Sequence, residues 1–168
     1  EEQQMIVEVA RQITNDKIIP CRAELDEKEE FPHEIIKEIA KADLAGLYID
    51  EQYGGYGGGS FDIVLALEQF ARGCVGIATS FAANALGAYP IILSGSDELK
   101  ERYLIPLAAG EKLAAFALTE ANAGSDASGI QTTAVLDGEE WVLNGTKQWI
   151  TNGGEANIYT VIAITDRS

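Results

Sequence analysis

The chain has 168 residues, 46% of them hydrophobic, and 12 basic against 27 acidic side chains give a formal net charge of −15. That size and apolar content suit one domain, or one domain and part of another. The charge argues against a nucleic-acid partner, whose binders carry basic patches. Any polyanionic ligand must be held by local amide dipoles and a few placed cations, because the field of the whole chain repels it.

No apolar run approaches the roughly 20 residues of a membrane span, so none is expected. The opening Glu1-Glu2-Gln3-Gln4 lacks the basic-then-apolar pattern of a signal peptide. Cys21 and Cys74 make no metal-binding pattern and read as reduced, buried thiols of a cytoplasmic protein. No metal site is expected.

Met5, Ile6, Val9, Ile13 and Ile18 recur at helical spacing, and Pro20 is expected to bend or end that helix. The acidic run from Glu24 to Glu30 reads as a solvated helix end and loop. Pro32 suits the start of a second helix, whose apolar face runs through Ile35, Ile36 and Ile39 to about residue 44. His33, the only histidine, falls in its first turn and is expected to be exposed and inert. Five glycines between Asp50 and Ser60 make a loop without the lysine of a phosphate-binding loop. Ser60, with Asp62 in the first turn, caps a helix apolar around much of its girth, and Gly73 breaks it. A stretch rich in small residues follows from Gly76 to Pro90. Ser96-Asp97-Glu98 then caps a last helix ending near Gly110.

The period then turns from helical to alternating. Leu113 to Leu118 reads as a short buried strand. Segments 132–136 and 139–143 flank Asp137-Gly138, a hairpin signal, and 147–151 and 158–164 read as further strands. The fold class is therefore α+β. An all-α helical domain over 1–112 precedes an antiparallel β region over 113–168 that is too short for a closed barrel.

One stretch carries the chemistry. The strand ending at Leu118 opens into Thr119-Glu120 and then Ala123-Gly124-Ser125-Asp126. Small residues at a strand mouth let successive amides converge on an anion such as a pyrophosphate. The plain alternative is a strand–loop connection capped by Ser125 or Asp126.

Ala117-Leu118-Thr119-Glu120, followed after two residues by Ala123-Gly124-Ser125-Asp126 and then Gly129, resembles the signature of the acyl-CoA dehydrogenase family. Gly46-Leu47-Tyr48-Ile49 with the glycine-rich 51–58 segment resembles that family's helical N-terminal domain. Leu143 to Gly153 resembles its flavin-contacting strand, and the short-chain, butyryl-CoA branch is the most similar.

The resemblance implies FAD as cofactor and α,β-dehydrogenation of a short-chain acyl-CoA. It also implies an electron-transfer flavoprotein as acceptor, a homotetramer, and a location in the cytoplasm, or in the mitochondrial matrix of a eukaryote. By resemblance, Phe116, Leu118 and Thr119 meet the flavin, with Phe116 standing where many relatives have Tyr. Gly124 and Ser125 meet the pyrophosphate, and Ser125 also the substrate. Trp149, Ile150 and Thr151 lie along the ring. Trp149 and Thr151, two apart on a strand, share one face. The catalytic base, a glutamate in the family's C-terminal domain, is expected beyond Ser168, so no catalytic residue is assigned in this chain. Two alternatives stay open. One is an acyl-CoA oxidase or flavin monooxygenase of the same fold. The other is a non-catalytic helical interaction module that keeps the β motifs as packing.

Overall fold

The computed structural model describes residues 1–166. Six helices precede four short strands: α1 (Glu2–Ile13), α2 (Ile19–Lys28), α3 (His33–Lys41), α4 (Ser60–Gly73), α5 (Val75–Ser94) and α6 (Asp97–Ala108), then β1 (Ala114–Ala117), β2 (Thr133–Asp137), β3 (Glu140–Asn144) and β4 (Ile158–Val161). The α+β segregation read from the periodicity holds, and the sheets are incomplete rather than closed.

Pro20 does not end the first helix. A π turn, Thr14–Ile18, joins α1 to α2 and restarts the hydrogen-bond ladder, so that Pro20 falls in the first turn of α2. A missing N–H costs little there. The π turn also serves packing. The Thr14 hydroxyl lies 2.8 Å from Ala10 O and 3.0 Å from Gln69 O. A Cβ on Gly73 would come within 2.8 Å of both Thr14 and Ile18. The helices therefore cross at small residues, with Ala10 and Ala66 fully buried.

Other caps follow sequence chemistry. Ser96 Oγ accepts from Leu99 N–H at 3.3 Å and starts α6. At α4 the cap is Gly59 rather than Ser60. Asp62 accepts the Gly59 N–H at 2.8 Å, while the Ser60 hydroxyl pairs with Tyr89. Nor is α4 buried all round, since Phe61 and Val64 are exposed. Cys21 and Cys74 are free thiols, half-buried rather than buried.

Helix α5 is the spine. It continues past Pro90 to Ser94, and it packs on α4, α6, β1 and β4. By length and composition it is apolar enough to cross a membrane, which corrects the expectation that no such run exists. Its Ile77, Ala78, Phe81, Ala85 and Ala88 belong to the core.

Its polar and small residues join the helical and strand regions. Asn84 Oδ1 accepts the Ala114 N–H at 2.7 Å, and Thr160 Oγ1 donates to Gly87 O at 2.6 Å. A Cβ on Gly87 would sit 2.7 Å from Ala114 Cβ, so only glycine lets β1 approach this closely.

The strand pairing is not uniformly antiparallel. β2 and β3 form the expected hairpin, with Asp137 opposite Glu140 and Gly138 at φ +64 in the turn. β1 instead pairs parallel with β4, Ala114 opposite Ile158. Forty residues separate these strands in sequence, so alternation within either one could not reveal the pairing.

Candidate functional site

Segment 147–151 is not a strand. Trp149 has φ +58 and Asn152 φ +64, both left-handed, so Trp149 and Thr151 do not share a face by strand alternation. The physical reason is that carbonyls distant in sequence, at the end of β1, capture the segment's donors. Lys147 Nζ donates to Leu118 O at 2.8 Å, and Gln148 N–H donates to Thr119 O at 2.8 Å. These two carbonyls hold the segment by one side chain and one amide instead of a continuous ladder.

Beyond it the chain turns tightly. Gly153 N–H returns to Ile150 O at 2.8 Å, and a Cβ on Gly153 would lie 2.7 Å from that oxygen. Asn152 is buried, and its Nδ2 donates to Ser80 O at 3.0 Å and Ala114 O at 3.1 Å. Both ends of the segment are thus anchored, while the Trp149 indole between them is 86% exposed. Ile150 and Thr151 are half-buried beside it.

The junction is organised by Glu120. Its carboxylate accepts the backbone N–H groups of Gln131 at 2.7 Å and Thr132 at 2.9 Å, and Lys147 Nζ at 2.8 Å. Both side chains of this ion pair are only 10% exposed. The Lys147 ammonium, then Thr132 and the two amides, hold the Glu120 carboxyl at about 2, against a usual value of 4.5. Three stretches distant in sequence therefore meet at one carboxylate. A cleft of about 330 Å³ opens beside it, lined by Glu120, Asn122, Gln131, Thr132, Gly145 and Thr146.

Of the residues singled out in the sequence, Leu118, Thr119, Trp149, Ile150 and Thr151 come together at this junction, and half-buried Phe116 lies just behind them on β1. Gly124 and Ser125 follow the tight Glu120–Ala123 turn. Both are exposed, and the space at Gly124 is open. Among the described residues no hydrogen bond joins them to 147–151. His33 is exposed as expected, and its Nε2 lies 3.3 Å from Glu155 Oε2 in the turn after Asn152. No group of side chains able to hold a metal ion occurs among the described residues.

Residues 1–111 match the family model of the acyl-CoA dehydrogenase N-terminal domain, and residues 115–168 match that of the acyl-CoA dehydrogenase middle domain. The chain belongs to the acyl-CoA dehydrogenase family. It is 40% identical over 169 residues to the short-chain-specific acyl-CoA dehydrogenase of Clostridium acetobutylicum, covering 99% of this chain and 44% of that protein. The butyryl-CoA dehydrogenase of Megasphaera elsdenii superposes with a TM-score of 0.91 at 41% identity, covering 98% of this chain and 44% of that one. An acyl-CoA dehydrogenase of Bacillus anthracis complexed with FAD superposes with a TM-score of 0.89 at 41% identity, over 96% of this chain and 28% of that one. The chain thus spans less than half the length of these relatives.

Three residues central to this acyl-CoA dehydrogenase junction lie within the motifs read from the sequence but were given no role there: Glu120, Lys147 and Asn152. One signal was available for Lys147. It is the only basic residue from 113 to 166, among seven acidic ones. A lone cation in so acidic a region points to an ion-pair partner among them. The sequence does not say which of the seven it is.

Proposed function

We propose that this chain is the helical domain, residues 1–112, and the first part of the β domain, residues 113–168, of an FAD-dependent acyl-CoA dehydrogenase acting on a short-chain acyl-CoA. The single observation that carries the reading is the exposed Trp149 indole, held between two anchored turns at the end of β1. An aromatic face kept open at a rigid junction is suited to stack on a flat ring system. The open backbone at Gly124 and the exposed Ser125 hydroxyl, on the far side of the Glu120 turn, suit a phosphate oxygen. The residues present fit the cofactor.

When bound, FAD takes up the hydride that leaves the β carbon of the acyl group. This chain's residues supply placement. Trp149 would stack on the ring, and Thr151 would offer it a hydroxyl. Leu118 and Thr119 wall it from the β1 side. Ser125 and the amide of Gly124 hold the pyrophosphate, with Ser125 also touching the substrate. Lys147 gives that pyrophosphate no charge, since Glu120 neutralises it. The proton at the α carbon is taken by a carboxylate outside this chain. The parent protein is a homotetramer in the cytoplasm that passes electrons to an electron-transfer flavoprotein, and α5 is one of its core helices rather than a membrane span.

The test is the visible spectrum of the purified parent protein, with and without butyryl-CoA under anaerobic conditions. Flavin absorbance that bleaches on addition of the thioester is the expected result. A protein that carries no flavin, and takes up none from added FAD, overturns the reading.

A further inference from the structure

We propose that Lys147 is a positioning residue for the cofactor, setting Trp149 against the flavin by bridging the end of β1 to Glu120; this rests on the FAD reading above. Lys147 reaches back across 29 residues to Leu118 O and across 27 to the Glu120 carboxylate. The next residue, Gln148, is bound to Thr119 O, and the one after that is Trp149. The indole therefore hangs directly from the bridge. No strand ladder intervenes to hold it.

The form of the bridge argues for placement rather than bulk stability. A nearly buried ion pair is often no more stabilising than an apolar pair of the same volume, because both charges lose water. What it adds is direction. The ammonium is tied to one carbonyl and one carboxylate oxygen, and that carboxylate is itself fixed by two backbone amides. An apolar side chain at 147 would fill the space but leave only the Gln148 N–H on Thr119 O to set the position of Trp149. A displacement of about 1 Å in a positioning group is enough to degrade a cofactor or substrate geometry.

A double-mutant cycle in the parent protein separates the two roles. The dissociation constant of FAD is measured by flavin fluorescence for the parent, Lys147→Gln, Trp149→Ala and the double variant. If Lys147 acts through Trp149, each single change weakens FAD by about tenfold and the double change adds little more, since residues working as one unit do not add. Additive losses, or an unchanged constant in Lys147→Gln, overturn the proposal. A parent protein that binds no FAD overturns instead the functional reading beneath it. Should Lys147→Gln fail to fold, the same cycle is read with Lys147→Arg. That variant keeps the charge but not the reach of the ammonium, and additivity there is equally fatal.

Discussion

Asn152 joins the helical region to the strand region, and removing it has a calculable effect. Its side chain is 6% exposed, donates to Ser80 O on α5 and Ala114 O on β1, and sits on a backbone at φ +64. Two hydrogen bonds between uncharged groups contribute about 1 kcal/mol each. Placing an ordinary Cβ-bearing residue in the left-handed region costs about a further 1 kcal/mol. Against this, Asn152 Oδ1 is buried with no hydrogen-bond partner. Its removal returns about 1 kcal/mol of desolvation. Asn152→Ala is therefore expected to destabilise the protein by about 2 kcal/mol.

Asn152→Gly loses the same bonds but tolerates the backbone, and its greater chain entropy when unfolded offsets part of that advantage. Its loss should be about 1.5 kcal/mol, smaller than that of alanine. The assay is urea unfolding of the parent protein at fixed protein and FAD concentration, since bound ligand shifts the midpoint. An alanine variant as stable as the parent, or a glycine variant less stable than alanine, refutes the reasoning.

Gly87→Ala should cost about 1–3 kcal/mol, because its Cβ meets Ala114 Cβ at 2.7 Å and overpacked helix–strand contacts relax poorly; thermal melts check this. Glu120→Gln should destabilise the protein by an amount that is constant above pH 5 and shrinks as pH falls from 4.5 toward 2. The wild-type carboxyl titrates at about 2 when folded and near 4.5 when unfolded, so its contribution is complete above the higher value and lost through the lower. Urea unfolding across that range reads it, and a gap that widens with acid contradicts the clamp. Thr151→Val should slow anaerobic flavin reduction by about tenfold with unchanged thermal stability, as expected of one hydrogen bond made chiefly in the transition state. Stopped-flow bleaching at saturating thioester decides it. His33→Ala should cost less than about 1 kcal/mol, because the pair with Glu155 is largely exposed and screened by solvent.

The sequence by itself determined what depends on neighbours a few positions apart. The isoleucines of α3, the Ser96 cap of α6 and the Gly138 turn act over three or four positions, and their chemistry is visible as spacing. Motif order likewise marked the family. What the sequence could not determine are the outcomes of competition between distant groups. Trp149-Ile150-Thr151 has the composition of a strand, yet its backbone is left-handed at Trp149 because Lys147 and Gln148 take the carbonyls at the end of β1. Pro20 looks like a helix stop. Its helix continues because the π turn beside Thr14 packs on Gln69 and Gly73 of α4. The partner of Lys147 was one of seven carboxylates. Only the fold brings Glu120 within 2.8 Å of it while two backbone amides already face the same oxygens. Local propensity differs by tenths of a kcal/mol between residue types, whereas a nearly buried charge or an unpaired carbonyl costs on the order of several, so the tertiary contact prevails wherever the two conflict.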